Sequence, residues 1–155
     1  MVHEDGKLEI SDISSSYYSD IFVDRHVPDL CGICGKLPYA QIILMPIQPA
    51  ALFDILNGKR DCTKQDDDWF VSSGTSAAAA YVSGILANLL RIESVKKEDL
   101  FDLAKKCCEP IKNGKNFMGE SATEDDVDMA TGYGFVSLKN ADKIIKDYMY
   151  EKEYS

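Results

Sequence analysis

The chain has 155 residues, of which 45% are hydrophobic, and a formal net charge of −9. This length fits one domain or one large piece of a domain, and the apolar fraction is sufficient for a core. The acidic balance argues against nucleic acid and anionic membranes as partners. The longest apolar run, residues 77–90, is too short for a membrane span. The first residues are polar and acidic, so we expect no secretory signal there, and nothing in the chain indicates its localisation.

The N-terminal half predicts only short elements. Short strands are predicted for residues 8–13, 21–23 and 69–71, and a short helix or a turn for residues 50–56. Residues 42–45 are continuously apolar and end at Pro46, which predicts a buried strand covered on both faces. A charged loop over residues 59–68 follows.

Three helices are predicted in the C-terminal half. Residues 76–90 are apolar nearly all the way round, which is typical of a buried helix. Residues 95–108 and 139–150 instead carry apolar side chains at the spacing of a single helix face. We therefore expect a central helix with two amphipathic helices packed outside it.

Five cysteines are present: Cys31, Cys34, Cys62, Cys107 and Cys108. Cys31 and Cys34 have the CxxC spacing of metal ligands or redox pairs, but no second pair matches them. The first interpretation is a set of reduced, partly buried thiols around a glycine turn; a local disulfide is the second and zinc the third. We expect no tetrahedral zinc.

The segment 73–84, Ser-Gly-Thr-Ser-Ala-Ala-Ala-Ala-Tyr-Val-Ser-Gly, indicates a nucleophile. Ser76 follows a glycine turn and begins the long apolar helix. Unpaired N–H groups and the helix dipole favour negative charge there. Acyl transfer needs an exposed serine oxygen beside donors that can hold an oxyanion. The alternative is that Ser76 merely caps the helix.

This segment resembles the nucleophile motif of subtilisin-like serine proteases, in which Gly-Thr-Ser is followed by small residues and Val-x-Gly. A second segment, Gly-Tyr-Gly-Phe-Val at residues 132–136, is similar to the family's C-terminal Gly-Tyr-Gly-x-Val motif. The resemblance covers residues 40–146. The family's Pro-His after the serine is replaced here by Ala80 and Tyr81.

The resemblance implies a fold and a set of roles for residues 1–155. The fold would be the C-terminal half of a three-layer α/β subtilisin-like domain with a mostly parallel sheet. Ser76 would be the catalytic nucleophile of a serine endopeptidase that acts on peptide or protein substrates, with Gly74 and Thr75 at the substrate. No cofactor is implied.

The other catalytic groups of that family have no counterpart in this chain. His3 and His26 lie outside any His-Gly-Thr setting, and Asn57 comes too close to Ser76 to be the oxyanion asparagine. A serine without a base is a poor nucleophile. We therefore expect a complementary N-terminal subtilase half, cleaved or separate, to supply the Asp, the His and the Asn.

Two other functions stay open. The first is a catalytically inactive subtilase-like module that binds a peptide or protein, and the second is an unrelated acidic interaction domain. The acidic runs at residues 66–68 and 124–128 suggest a calcium site only weakly, because neither has EF-hand spacing. Solvated loops are the preferred interpretation of both.

Overall fold

In a computed structural model, the described residues are 2, 6–35, 42–57, 64, 67–123 and 127–153. Within them the chain forms six short strands, four α-helices and one 3-10 turn. In chain order these are β1 (Tyr17–Tyr18), β2 (His26–Val27), β3 (Ile43–Pro46), α1 (Leu52–Asn57), β4 (Trp69–Ser72), α2 (Thr75–Leu89), the 3-10 turn Lys97–Asp99, α3 (Leu100–Lys106), β5 (Cys108–Glu109), β6 (Phe135–Val136) and α4 (Leu138–Glu153).

The described strands form three separate antiparallel ribbons, β1 with β2, β3 with β4, and β5 with β6. The expected three-layer fold with a mostly parallel sheet is therefore wrong for this part of the chain. Each strand has two to four residues and pairs with one partner. Residues 8–13 and 21–23 are not strands, since the first ribbon uses Tyr17–Tyr18 and His26–Val27 instead.

The strand predicted at residues 42–45 exists as β3, but its predicted burial is wrong. Ile43 of β3 pairs with Ser72 of β4, and Pro46 pairs with Trp69. Leu44 is 53% exposed and Met45 44%. Among the described residues this two-stranded ribbon leaves Leu44 and Met45 open to water, and α1 packs against β4.

The main core lies where α2 meets α3 and α4. Both outer helices lie where the apolar spacing predicted them, although the first begins with a 3-10 turn. The buried side chains of this core are Ile85, Leu89, Ile92, Leu103, Cys107, Val136 and Ala141.

The helix α2 is only half buried, in contrast to the expectation from its apolar composition. Ala77, Ile85 and Leu89 face the core. The opposite side is a stripe of small exposed residues, here called the open stripe: Ser76, Ala80, Ser83, Gly84 and Ala87. A Cβ added at Gly84 would meet no atom within 4 Å, so no described residue explains this glycine in mid-helix.

The second glycine motif joins the C-terminal region to residues 28–31. Gly132 has φ 59°, and a Cβ there would lie 2.3 Å from the Pro28 carbonyl oxygen. Tyr133 N donates to Asp29 O at 2.8 Å, and Cys31 N donates to Gly134 O at 2.8 Å. A parallel bridge between Cys31 and Phe135 continues this contact. Only glycine allows so close an approach at this positive φ.

Candidate functional site

Ser76 is the second residue of α2, and its side chain is exposed. Two residues, Ser73 and Gly74, turn the chain from the end of β4 into the helix. Gly74 has φ 111°, a conformation that side-chain-bearing residues rarely adopt. The sequence-predicted residues Gly74, Thr75 and Ser76 therefore stand together at one helix end.

The first turn of α2 presents backbone donors rather than a side-chain cap. Gly74 provides no capping side chain, and the first bond of the helix runs from Ala78 N to Gly74 O at 3.1 Å. The amides before Ala78 therefore lack acceptors within the helix, and they carry the positive end of its dipole. Such donors can stabilise an oxyanion that forms beside Ser76.

The described residues bring no base to this serine. His26 lies in β2, where its Nε2 is 3.0 Å from the Met129 carbonyl oxygen. Its ring packs on Tyr18 with 5.4 Å between the ring centroids. No described contact joins His26 to Ser76, and His3 lies outside the described residues.

The CxxC segment lies against the start of α2. Gly74 N donates to Cys34 O at 3.2 Å, and a Cβ at Gly32 would lie 2.5 Å from Ala78 O. These two contacts hold residues 32 and 34 against the start of α2, and the Cys31 and Cys34 thiols are not bonded to each other.

The described cysteines are free thiols in apolar surroundings. Burial raises the pKa of the Cys31 thiol to about 12, and that of the Cys108 thiol also to about 12. Cys31 donates its S–H to Thr131 O at 3.3 Å. Such thiols are poor nucleophiles and poor metal ligands at neutral pH. Cys62 lies outside the described residues.

The side chain of Asp128 holds a loop in place. Asp128, buried, accepts hydrogen bonds from the backbone N–H groups of Thr123, Ala130 and Thr131. Residues 124–126 and 66 are outside the described part of the chain. Among the residues that are described, no group of three or more His, Cys, Asp or Glu could hold a metal ion.

A cleft of about 490 Å³ lies beside the α2 N-terminus, and sequence analysis did not predict it. We call it the α2 cleft. Its walls come from the N-terminal segment 8–15, from residues 27–34, and from one face of α2, with Phe101, Ile111 and Phe135 completing it. The α2 face consists of Thr75, Ala78, Ala79, Val82 and Ser83. Their i, i+3, i+4, i+7, i+8 spacing was the available signal, but it was obscured by the apolar composition of the whole helix.

Comparison of the chain with known protein families, curated proteins and solved structures finds no match. Within the described residues, no helix is long and apolar enough to cross a membrane.

Proposed function

We propose that this chain carries the nucleophile of a subtilisin-like serine endopeptidase or related acyl-transfer enzyme. Ser76 would attack the substrate carbonyl, and the first-turn amides of α2 would hold the oxyanion. The single observation that carries the proposal is the exposed Ser76 at the uncapped N-terminus of α2. The Gly-Thr-Ser and Gly-Tyr-Gly-x-Val segments, in the order found in that family, add support.

The proposal requires a second polypeptide. Serine needs an adjacent base to become nucleophilic at neutral pH, and the described histidine is engaged with Met129 and Tyr18. A complementary chain would bring the acid, the base and the oxyanion asparagine. Loss of a triad member in such enzymes leaves only the catalysis of binding and the oxyanion hole. The isolated chain should therefore have little activity.

The open stripe of α2 supports a docking role for that partner. Its side chains are small, so another backbone can approach closely, and Gly84 leaves open space above the helix. A glycine in mid-helix costs about 1 kcal/mol relative to alanine. Contact with a partner would explain a cost that no described contact within the chain explains.

The test combines the chain with a candidate complementary N-terminal half and adds a fluorophosphonate probe. Labelling is expected only in the complex and only at Ser76. Ser76→Ala should abolish it. Ser94→Ala is the matched control, because Ser94 is an exposed serine outside α2 and outside the open stripe. Labelling that survives Ser76→Ala, or that needs no partner, would contradict the proposal.

The second candidate is a catalytically inactive module that binds a peptide or protein. The absence of a base beside Ser76 among the described residues favours it. It predicts that the complementary polypeptide binds the chain but that Ser76 does not react with the probe in the complex. The same labelling experiment, combined with a binding measurement, therefore separates the two functions.

A further inference from the structure

The α2 cleft has the size and the lining of a site for a small apolar ligand. Its volume of about 490 Å³ falls within the range of about 300 to 1,000 Å³ typical of ligand pockets. Aliphatic side chains from three separate parts of the chain meet there, among them Ile10, Val82 and Ile111. Two aromatic rings, Phe101 and Phe135, complete the apolar wall.

The charges at the cleft cancel. Asp29 lines it, and both of its carboxylate oxygens accept hydrogen bonds of 2.6 Å from the Arg25 guanidinium. This pairing lowers the pKa of Asp29, so the pair stays ionised and neutral overall. The other polar lining groups include the hydroxyls of Ser14, Thr75 and Ser83. A ligand would therefore meet apolar surface and neutral hydrogen-bonding groups.

Several backbone groups of the walls are already bonded, which leaves less free edge for an extended peptide. Ile10 N donates to Asn113 O, and Ser14 O accepts from Phe117 N. Cys31 uses both its N–H and its C=O in the contact with residues 134–136. A peptide that binds as an added strand needs free backbone N–H and C=O groups along an edge. A small molecule does not.

From these features we infer that the α2 cleft binds a neutral amphiphile, a small molecule with an apolar chain or ring and one uncharged hydrogen-bonding end. The apolar part packs against the aliphatic and aromatic walls, and the polar end meets the hydroxyls. An anionic head is disfavoured, because the chain carries a net charge of −9 and the described lining offers no unpaired cation. The α2 dipole at Thr75 favours an anion, but by less than the cost of burying an unpaired charge. The site does not depend on the reactivity of Ser76.

The first test compares two probes of the same chain length, one with a neutral head group and one with an anionic head group. 1-Octanol should displace the neutral dye Nile red from the full chain in a saturable way. Octanoate, with the same chain length and an ionised head, should bind at least about tenfold more weakly, because burying an unpaired charge is unfavourable. Acetyl-trileucine amide serves as the peptide comparison. Equal or tighter binding of octanoate, or displacement by the peptide alone, would overturn the inference.

The second test locates the site with matched variants on α2. Ala79→Leu adds a larger side chain inside the cleft, whereas Ala87→Leu adds it to an exposed position outside the cleft. We expect Ala79→Leu to weaken octanol binding at least about tenfold and Ala87→Leu to leave it unchanged. Phe101→Ala, which removes an apolar wall, should also weaken binding and replaces Ala79→Leu if that variant fails to fold. If both leucine variants bind octanol as the parent chain does, or if both lose binding equally, the ligand binds elsewhere.

Discussion

Two glycine-to-alanine substitutions should change stability in opposite directions. Gly32 lies between the CxxC cysteines, and its added Cβ would be 2.5 Å from Ala78 O and 3.0 Å from the Val82 Cγ2. Non-bonded heavy atoms lie at about 3.5 Å or more, so segment 31–34 and helix α2 would have to separate by roughly 1 Å. Gly84 lies on the open stripe, where an added Cβ meets nothing within 4 Å.

The expected magnitudes follow from these distances. Overpacking costs about 1 to 3 kcal/mol, and the separation also breaks the 3.2 Å bond from Gly74 N to Cys34 O, which is worth about 1 kcal/mol. We expect Gly32→Ala to lower the free energy of unfolding by about 2 to 3 kcal/mol. Gly84→Ala should raise it by about 0.5 to 1 kcal/mol, because alanine is the better helix former.

The assay is urea and thermal unfolding of both variants under reducing conditions, followed by circular dichroism. For a domain of this size 1 kcal/mol shifts Tm by roughly 2 to 4 °C, so Gly32→Ala should lower Tm by roughly 4 to 12 °C. Unchanged stability of Gly32→Ala would refute the packing of the CxxC segment on α2. A lower stability of Gly84→Ala would mean that the space above the helix is already occupied.

Three further outcomes are expected. Gly132→Ala places a Cβ at a positive φ and 2.3 Å from a backbone oxygen, so it should lower the free energy of unfolding in urea by about 3 kcal/mol or more. Gly119→Ala, at φ 82° in open space, should lower it by only about 1 kcal/mol. Burial holds the pKa of Cys31 and of Cys108 at about 12, above the ordinary 9.0. The stability that these neutral thiols contribute is therefore full below pH 9 and is lost as pH rises toward 12. Cys108→Ala should show a smaller fall in Tm than the parent chain between about pH 8 and about pH 10.5. Hydrogen bonds lower the pKa of Glu120 below its ordinary 4.5, so its stabilising effect is present above that pH and is lost on acidification. The Tm of Glu120→Gln should therefore fall less than that of the parent chain on acidification from about pH 6 to about pH 3.

The helices could be predicted because their signals are local. Leu103 and Cys107 lie one turn apart on the buried face of the α3 region, and Ala141 begins the corresponding face of α4. The Gly-Thr-Ser segment likewise places Ser76 at a helix start from adjacent residues alone. Such features need no knowledge of distant contacts.

The sheet and the α2 cleft could not be predicted in the same way. The apolar run of β3 does not reveal that β3 pairs with β4 in the described part of the chain. Nor does it reveal that Leu44 stays exposed. The cleft exists because Gly32 allows segment 31–34 to lie against α2 and because Gly132 allows residues 132–136 to lie against residues 28–31. Both contacts join residues far apart in sequence, and neither glycine differs locally from an ordinary turn glycine.

The apolar composition of α2 and its half-exposed state can be reconciled by a partner. An all-round apolar helix is expected to be buried, and composition does not say whether the covering atoms belong to the same chain. The described part of this chain covers the face with Ile85 and Leu89 and places segment 31–34 against Ala78 and Val82. The open stripe that remains begins at Ser76 and includes Gly84. A polypeptide packed along that stripe would bury the uncovered face and reach the helix N-terminus at once. The same contact would then compensate the mid-helix glycine and bring a base to the serine.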